Sequence, residues 1–161
     1  MNYKIRKIEP SDLESTSGML LEAFEWFHQG DKNSWLYRSF QPSSLESFIK
    51  TLDILVATED GGKEIVGYIS SSNSLFGVAY VPTVAVHPSH QRMGLGKKLL
   101  NRKLAVLKKE NIRKVWLLVT SINYPAITFY LKNGFVIEGY LKDHTGPGLD
   151  EILFSKFLTP Q

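Results

Sequence analysis

Hydrophobic and polar positions alternate at the start of the chain, where Tyr3, Ile5 and Ile8 are separated by lysine and arginine. A period of two predicts a strand over residues 3–8. Beyond Glu9-Pro10 the period lengthens. Leu13, Met19, Leu20, Ala23, Phe24 and Phe27 fall on one helical face, and Ser11 with Glu14 three residues later reads as a capping box, so one helix is expected over residues 12–27. Gln29-Gly30-Asp31-Lys32-Asn33-Ser34 breaks it, and Pro42-Ser43-Ser44 opens a second helix carrying Leu45, Phe48, Ile49 and Leu52. Of the aromatic residues between, Trp26, Phe27, Trp35, Tyr37 and Phe40, most read as core under a loop, with one or two as alternatives for lining an acceptor pocket.

Two β-rich runs, residues 54–58 and 64–70, flank Glu59-Asp60-Gly61-Gly62-Lys63, whose paired glycines predict a hairpin turn. Residues 76–86 form a longer apolar run interrupted by Pro82. Proline in a strand marks an edge or a bulge, and a local splay there opens main-chain groups for hydrogen bonding. Leu95, Leu99, Leu100, Leu104 and Leu107 then give a helix a broad apolar face, and KVWLLV at residues 114–119 reads as a strand buried on both sides. Asn123 caps a further helix with Pro125 in its first turn, and Asn133-Gly134 ends it. Residues 135–140 and 150–157 are the last strands, joined by the loop KDHTGPGL at 142–149. The order is β-α-α-β-β-β-α-β-α-β-β, with no repeat or linker, and one domain over residues 1–161 is expected.

The candidate chemistry lies in TVAVHPSHQRMGLGKKLL, residues 83–100. This is a strand stopped by Pro88, a tight turn, and a helix. Gly94 and Gly96 let the backbone come close to a ligand, and the amides of a helix start, with Lys97 and Lys98 beside them, suit phosphate. Spacing excludes a P-loop, because Gln91 stands where its first glycine is required and Lys98 replaces the hydroxyl. A dinucleotide fingerprint fails at Leu99, where a third glycine is needed.

Composition narrows the partners. At 43% hydrophobic and 22% charged, the chain is that of an ordinary globular domain. No apolar run reaches bilayer length and the first residues form no signal core, so a cytoplasmic location and no membrane partner are expected. The lack of cysteine excludes a disulfide framework, thiolate zinc sites and a cysteine nucleophile. A net charge of +3 with interspersed signs suits an anionic small ligand and argues against nucleic acid. His28, His87, His90 and His144 fall at no recognised ligand spacing, so no metal is expected.

Q-x-x-G-x-G after a strand ending V-A-V-H-P resembles the acyl-CoA loop of the GNAT superfamily of N-acetyltransferases. N-x-x-A-x-x-F-Y-x-x-x-G-F, from Asn123 to Phe135, resembles that superfamily's second acetyl-CoA motif. Two such motifs in the right order are more specific than either alone. The resemblance covers the whole chain and implies an α/β (α+β) fold, a mixed twisted sheet of about seven strands flanked by about four helices. It implies acetyl-CoA as co-substrate, with direct attack of an amine in a ternary complex. Main-chain pantetheine contacts are carried onto Val84, Ala85 and Val86, and pyrophosphate contacts onto Gln91, Arg92, Met93, Gly94, Leu95, Gly96 and Lys97. Asn123 matches a polar cofactor contact, and Tyr130 matches the tyrosine that hydrogen-bonds and protonates the leaving sulfur.

Many relatives place a glutamate on the strand before the loop, but residues 76–86 contain no acid; Tyr80 and Thr83 are the polar side chains there. Glu25, His28, Asp31, His144 and Glu151 are the candidate bases. The acceptor is a protein N-terminus or lysine, a polyamine or another small amine. Glu22, Glu25 and Asp31 suit a cationic small molecule, and the 142–149 loop suits an extended peptide. A monomer or homodimer is expected. The alternative is a non-catalytic acyl-CoA-binding regulatory module.

Overall fold

The computed structural model describes residues 2–73 and 76–159. Its elements are β1 (Tyr3–Lys7), α1 (Leu13–Ala23), α2 (Glu25–His28), α3 (Trp35–Ser39), α4 (Pro42–Thr51), β2 (Asp53–Glu59), β3 (Ile65–Asn73), β4 (Val78–Tyr80), β5 (Val84–Val86), α5 (Leu95–Lys109), β6 (Lys114–Thr120), α6 (Tyr124–Lys132), β7 (Val136–Leu141) and β8 (Glu151–Phe157). Short 3-10 turns occupy Pro10–Asp12 and Pro88–His90. Hydrogen bonding runs through an eight-stranded sheet in the order β1-β2-β3-β4-β6-β8-β7, with β5 pairing β3. The fold is the mixed α/β class expected. Among the described residues no helix is long and apolar enough to cross a membrane.

Eight strands replace the expected seven because the 76–86 run is two strands. The helices number six because the first predicted helix splits and a further one forms. The split falls at Phe24, whose φ of −113° is not helical. The capping residues also differ from Ser11 and Glu14. The capping box joins Glu9 and Asp12, and Asp12 also takes both guanidinium nitrogens of Arg6 at 2.6 and 2.8 Å. α3 arises in the aromatic segment read as loop, with Leu36 and Phe40 buried.

The chain divides into two compact units, residues 1–71 with 83–103 and residues 72–82 with 104–161. In the first, β1, β2, β3 and β5 pair antiparallel. Met19, Leu20, Leu36, Phe40, Leu45, Ile54, Val56, Ile65, Tyr68 and Ala85 form its core, so the helices before β2 cover one face of these strands. Leu95 and Leu99 of α5 lie against Gly67 of β3. A Cβ at Gly67 would stand 2.8 Å from Leu99 Cδ1 and 3.2 Å from Leu95 Cδ2, so the absent side chain sets how closely the start of α5 approaches β3.

In the second unit β4 runs parallel to β6, while β6, β8 and β7 pair antiparallel. The burial of β6 alternates. Val115, Leu117 and Val119 are buried, and Lys114, Trp116, Leu118 and Thr120 are half-buried on the other face. Phe154, paired with Leu117, shares the buried face and meets the ring of Tyr130 from α6. Glu151, paired with Thr120, and Ser155, paired with Trp116, lie on the half-open face.

Candidate active site

Pro82 divides one apolar run into β4 and β5, and β5 with the turn after it is the candidate region of the first unit. Proline has no N–H to give a ladder, and among the described residues β5 pairs with β3 alone. Ser70 N–H donates to the Thr83 carbonyl at 3.1 Å and His87 N–H to the Val66 carbonyl at 3.0 Å. Antiparallel alternation then turns the main-chain groups of Thr83, Ala85 and His87 toward β3, and those of Val84 and Val86 away from it. Gln91 Nε2 takes the outward carbonyl of Val86 at 3.1 Å and so ties the glycine turn to the strand end. The same alternation leaves the Val84 N–H and C=O and the Val86 N–H on the outer edge of β5.

The turn itself is built from left-handed residues, Arg92 at φ 61° and Gly94 at φ 81°. A Cβ on Gly94 would meet nothing within 4 Å, so its glycine is required by backbone conformation while the space beside it is open. Lys98 N–H closes the first helical bond onto the Gly94 carbonyl at 3.1 Å. The N–H groups of Leu95, Gly96 and Lys97 thus start α5 without helical acceptors. Leu95 is buried as an anchor, while Arg92, Met93 and Lys97 are exposed. Lys98 lies over the Tyr3 ring, 5.5 Å from its centroid, and the Tyr3 hydroxyl meets Met93 Sδ at 3.6 Å and His90 Nδ1 at 3.3 Å. These contacts brace the turn from β1.

His87, immediately after β5, was not singled out by the sequence. Its Nδ1 accepts from the Ser89 N–H at 3.3 Å and its Nε2 pairs with Glu22 of α1 at 2.9 Å. The pair joins the end of α1 to the end of β5. Only tertiary structure brings residues so far apart in sequence together.

The second unit carries its own candidate residues. Asn123 caps α6, its Oδ1 accepting from the Ala126 N–H at 3.2 Å, which leaves its amide hydrogens for another partner. Tyr130, two turns on, is 7% exposed and surrounded by the rings of Phe129, Phe135 and Phe154. Burial raises its phenol above the ordinary tyrosine value, so it stays a proton donor across the neutral range.

Three of the five candidate bases have structural roles. His28 is buried with both ring nitrogens engaged, one against the Leu21 carbonyl at 2.9 Å and one accepting from the Gly30 N–H at 3.0 Å. Glu25 lies 3.5 Å from the same ring, and Asp31 accepts from the Asn33 N–H at 2.9 Å in a turn. Glu151 differs from them. It is 8% exposed, accepts from Thr120 Oγ1 at 3.3 Å, and makes no ion pair with lysine or arginine among the described residues. Desolvation raises its carboxyl above the usual value, opposed by the Thr120 hydrogen bond and by nearby His144. Tyr80, stacked on Trp116 at 4.2 Å between ring centroids, is raised by burial and then by the charge of Glu151. Among the described residues no group of three His, Asp or Glu side chains is placed to hold a metal ion.

The model of the acetyltransferase (GNAT) family matches residues 18–135. A spermidine N(1)-acetyltransferase of Thermoplasma acidophilum is 26% identical over 147 residues, 86% of this chain and 91% of the relative. An N-alpha-acetyltransferase of Sulfurisphaera tokodaii is 33% identical over 112 residues, 62% of this chain and 66% of the relative. Among solved structures, the PaiA N-acetyltransferase of Thermoplasma acidophilum in complex with coenzyme A superposes with a TM-score of 0.82 at 25% identity, covering 98% of this chain and 99% of that one.

Proposed function

The chain belongs to the acetyltransferase (GNAT) family, whose members are acetyl-CoA-dependent N-acetyltransferases, and from that premise we propose that it acetylates a primary amine by direct attack in a ternary complex. The acceptor is drawn from protein N-termini, lysine side chains, polyamines and other small amines. The observation that carries this reading is the outer edge of β5, where Val84 and Val86 present main-chain groups beside a turn that ends in the free amides of α5.

These residues fit acetyl-CoA. An amide-rich pantetheine arm needs alternating main-chain donors and acceptors, which Val84 and Val86 supply, with Ala85 keeping the strand anchored to β3. A diphosphate needs N–H groups and space. Gln91, Arg92, Met93, Gly94, Leu95, Gly96 and Lys97 provide a turn with open space at Gly94 and the positive end of α5 behind it. Acetyl-CoA supplies an activated thioester. Tyr130 keeps a proton for the departing sulfur, and Asn123 offers its amide hydrogens to the cofactor. The outward Val86 N–H is a donor for the oxygen that gains charge during attack. Of the two protons an ammonium loses on becoming an amide, one is taken by a base before attack. The other restores the Tyr130 phenol.

The test is acetyl-CoA-dependent thiol release across N-terminal peptides, lysine peptides, spermidine, amino acids and aminoglycosides. Release with one class is expected and identifies the acceptor. Acetyl-CoA binding without release on any amine would replace this reading with a regulatory acyl-CoA-binding module.

A further inference from the structure

The strands of the second unit separate two chemically different faces. Phe154 and Leu117 point to the face that carries α6 and Tyr130. Trp116, Leu118 and Thr120 point to the other, and cross-strand register places Ser155, Leu153 and Glu151 with them. Tyr80 joins that face by pairing with Trp116. The proposed acid and the buried carboxylate therefore stand on opposite sides of the same strands, an arrangement suited to an amine that arrives from the side away from Tyr130.

Glu151 is an unusual carboxylate for a purely structural role. Among the described residues the other buried carboxylate, Asp12, takes a bidentate Arg6, and half-buried Asp53 meets buried Lys103 at 2.7 Å. Glu151 meets one hydroxyl, on Thr120 of β6. The titratable groups facing it are Tyr80 from β4 and His144 from the β7–β8 loop, while Leu141 is its partner on β7. That loop is braced beside it, with Asp143 N–H donating to Asp150 Oδ1 at 2.8 Å, Gly148 N–H to Asp143 Oδ1 at 2.6 Å, and the Tyr140 hydroxyl to Asp150. A desolvated carboxylate without a lysine or arginine partner, sharing its sheet face with stacked aromatic rings, is suited to a primary ammonium: charge neutralisation from the acid and, farther along the face, π-surfaces for its methylene stem.

We infer that Glu151, held by Thr120 on the sheet face that also carries the stacked Tyr80 and Trp116, receives the acceptor's primary ammonium and takes one proton from it. The N–H bond breaks, its proton passes to a Glu151 oxygen, and the electron pair left on nitrogen becomes the nucleophile; the proton then leaves to water. The inference rests on the acetyl-transfer reading for its chemistry, but the ammonium seat itself is testable without acetyl-CoA.

The experiment uses the full chain and its Glu151→Gln variant. Spermidine and an N-terminal alanine peptide are titrated, without acetyl-CoA, against the 13C resonance of the Glu151 side-chain carboxyl. The resonance is expected to respond and its titration midpoint to fall, because a bound cation favours the carboxylate. In parallel, Glu151→Gln is expected to lower kcat/KM by about 100-fold or more and to flatten the acid limb of the pH profile, with coenzyme A affinity and thermal stability retained. A carboxyl that ignores both amines, or a variant that transfers at the wild-type rate with an unchanged pH profile, would overturn it. If the wild type acetylates no amine while the carboxyl still responds, the acetyl-transfer reading falls and the ammonium seat stands.

Discussion

Gly67 of β3 stands directly opposite Val86 of β5, and the volume a side chain at Gly67 would claim is already filled by Leu99 and Leu95 of α5. One missing Cβ thus sets both the approach of the helix and the backing of the strand edge proposed to hold pantetheine.

Gly67→Ala is therefore expected to push α5 outward. Overpacking of this kind costs about 1–3 kcal/mol, read as a lower urea midpoint, and coenzyme A affinity should fall with it. An alanine variant as stable and as tight-binding as the parent would show that the close approach has no functional weight.

Gly96→Asp separates ligand binding from folding. An acid in the first turn of α5 favours the helix dipole, so the fold should persist. The same charge faces a diphosphate, and coenzyme A affinity is expected to drop by about 100-fold or more, equivalent to ~3 kcal/mol. Unchanged calorimetric affinity would remove the pyrophosphate from this turn.

Tyr130→Phe keeps the aromatic packing against Phe129, Phe135 and Phe154 and removes the hydroxyl. Turnover should fall by about 100- to 10,000-fold, the usual worth of a positioned acid, with acetyl-CoA affinity largely retained. Since burial raises its pKa, deprotonation of Tyr130 should cause no alkaline loss of activity below about pH 10. A fully active phenylalanine variant would exclude the phenol from the chemistry.

The Arg6–Asp12 pair makes a prediction about stability alone. Hydrogen bonds from Arg6 lead the causes that hold the Asp12 carboxyl below its ordinary value, so folding favours the ionised form. Its stabilising contribution is present above the ordinary aspartate pKa and is lost as pH falls through the depressed value. Asp12→Asn should cost about 1–3 kcal/mol at pH 7, and the gap to wild type should close as denaturation is measured at progressively lower pH. A gap that stays constant with pH would mean that Asp12 acts through shape instead of charge.

Much of the fold was legible because it is written locally. Pro82 marked an irregularity in the 76–86 run, read as one strand and found to be two; Pro125 and Asn123 marked the start of α6, and Gln91 to Lys97 stood out because two glycines there precede a helix. What stayed hidden depends on partners distant in sequence. Helical periodicity continued through Phe27, so nothing local announced the break at Phe24. Gly67 looked like any strand glycine until α5 packed on it. Glu151 appeared among the candidate bases, but its distinction from Glu25, His28 and Asp31 comes from which strand face it occupies and from the lack of a cation there. Only the pairing of β6 with β8 decides that.

The two prolines around β5 have another consequence. A strand edge with unmet main-chain groups invites another chain to zip onto it, and natural sheets blunt such edges with proline and brevity. β5 is three residues long, with Pro82 two positions before it and Pro88 two positions after it, neither offering an N–H. An invading strand finds too few rungs to climb, whereas a slender ligand arm needs only two or three. The outer edge of β5 thus resists pairing with a neighbouring chain while keeping enough main-chain groups for the small molecule proposed to bind there.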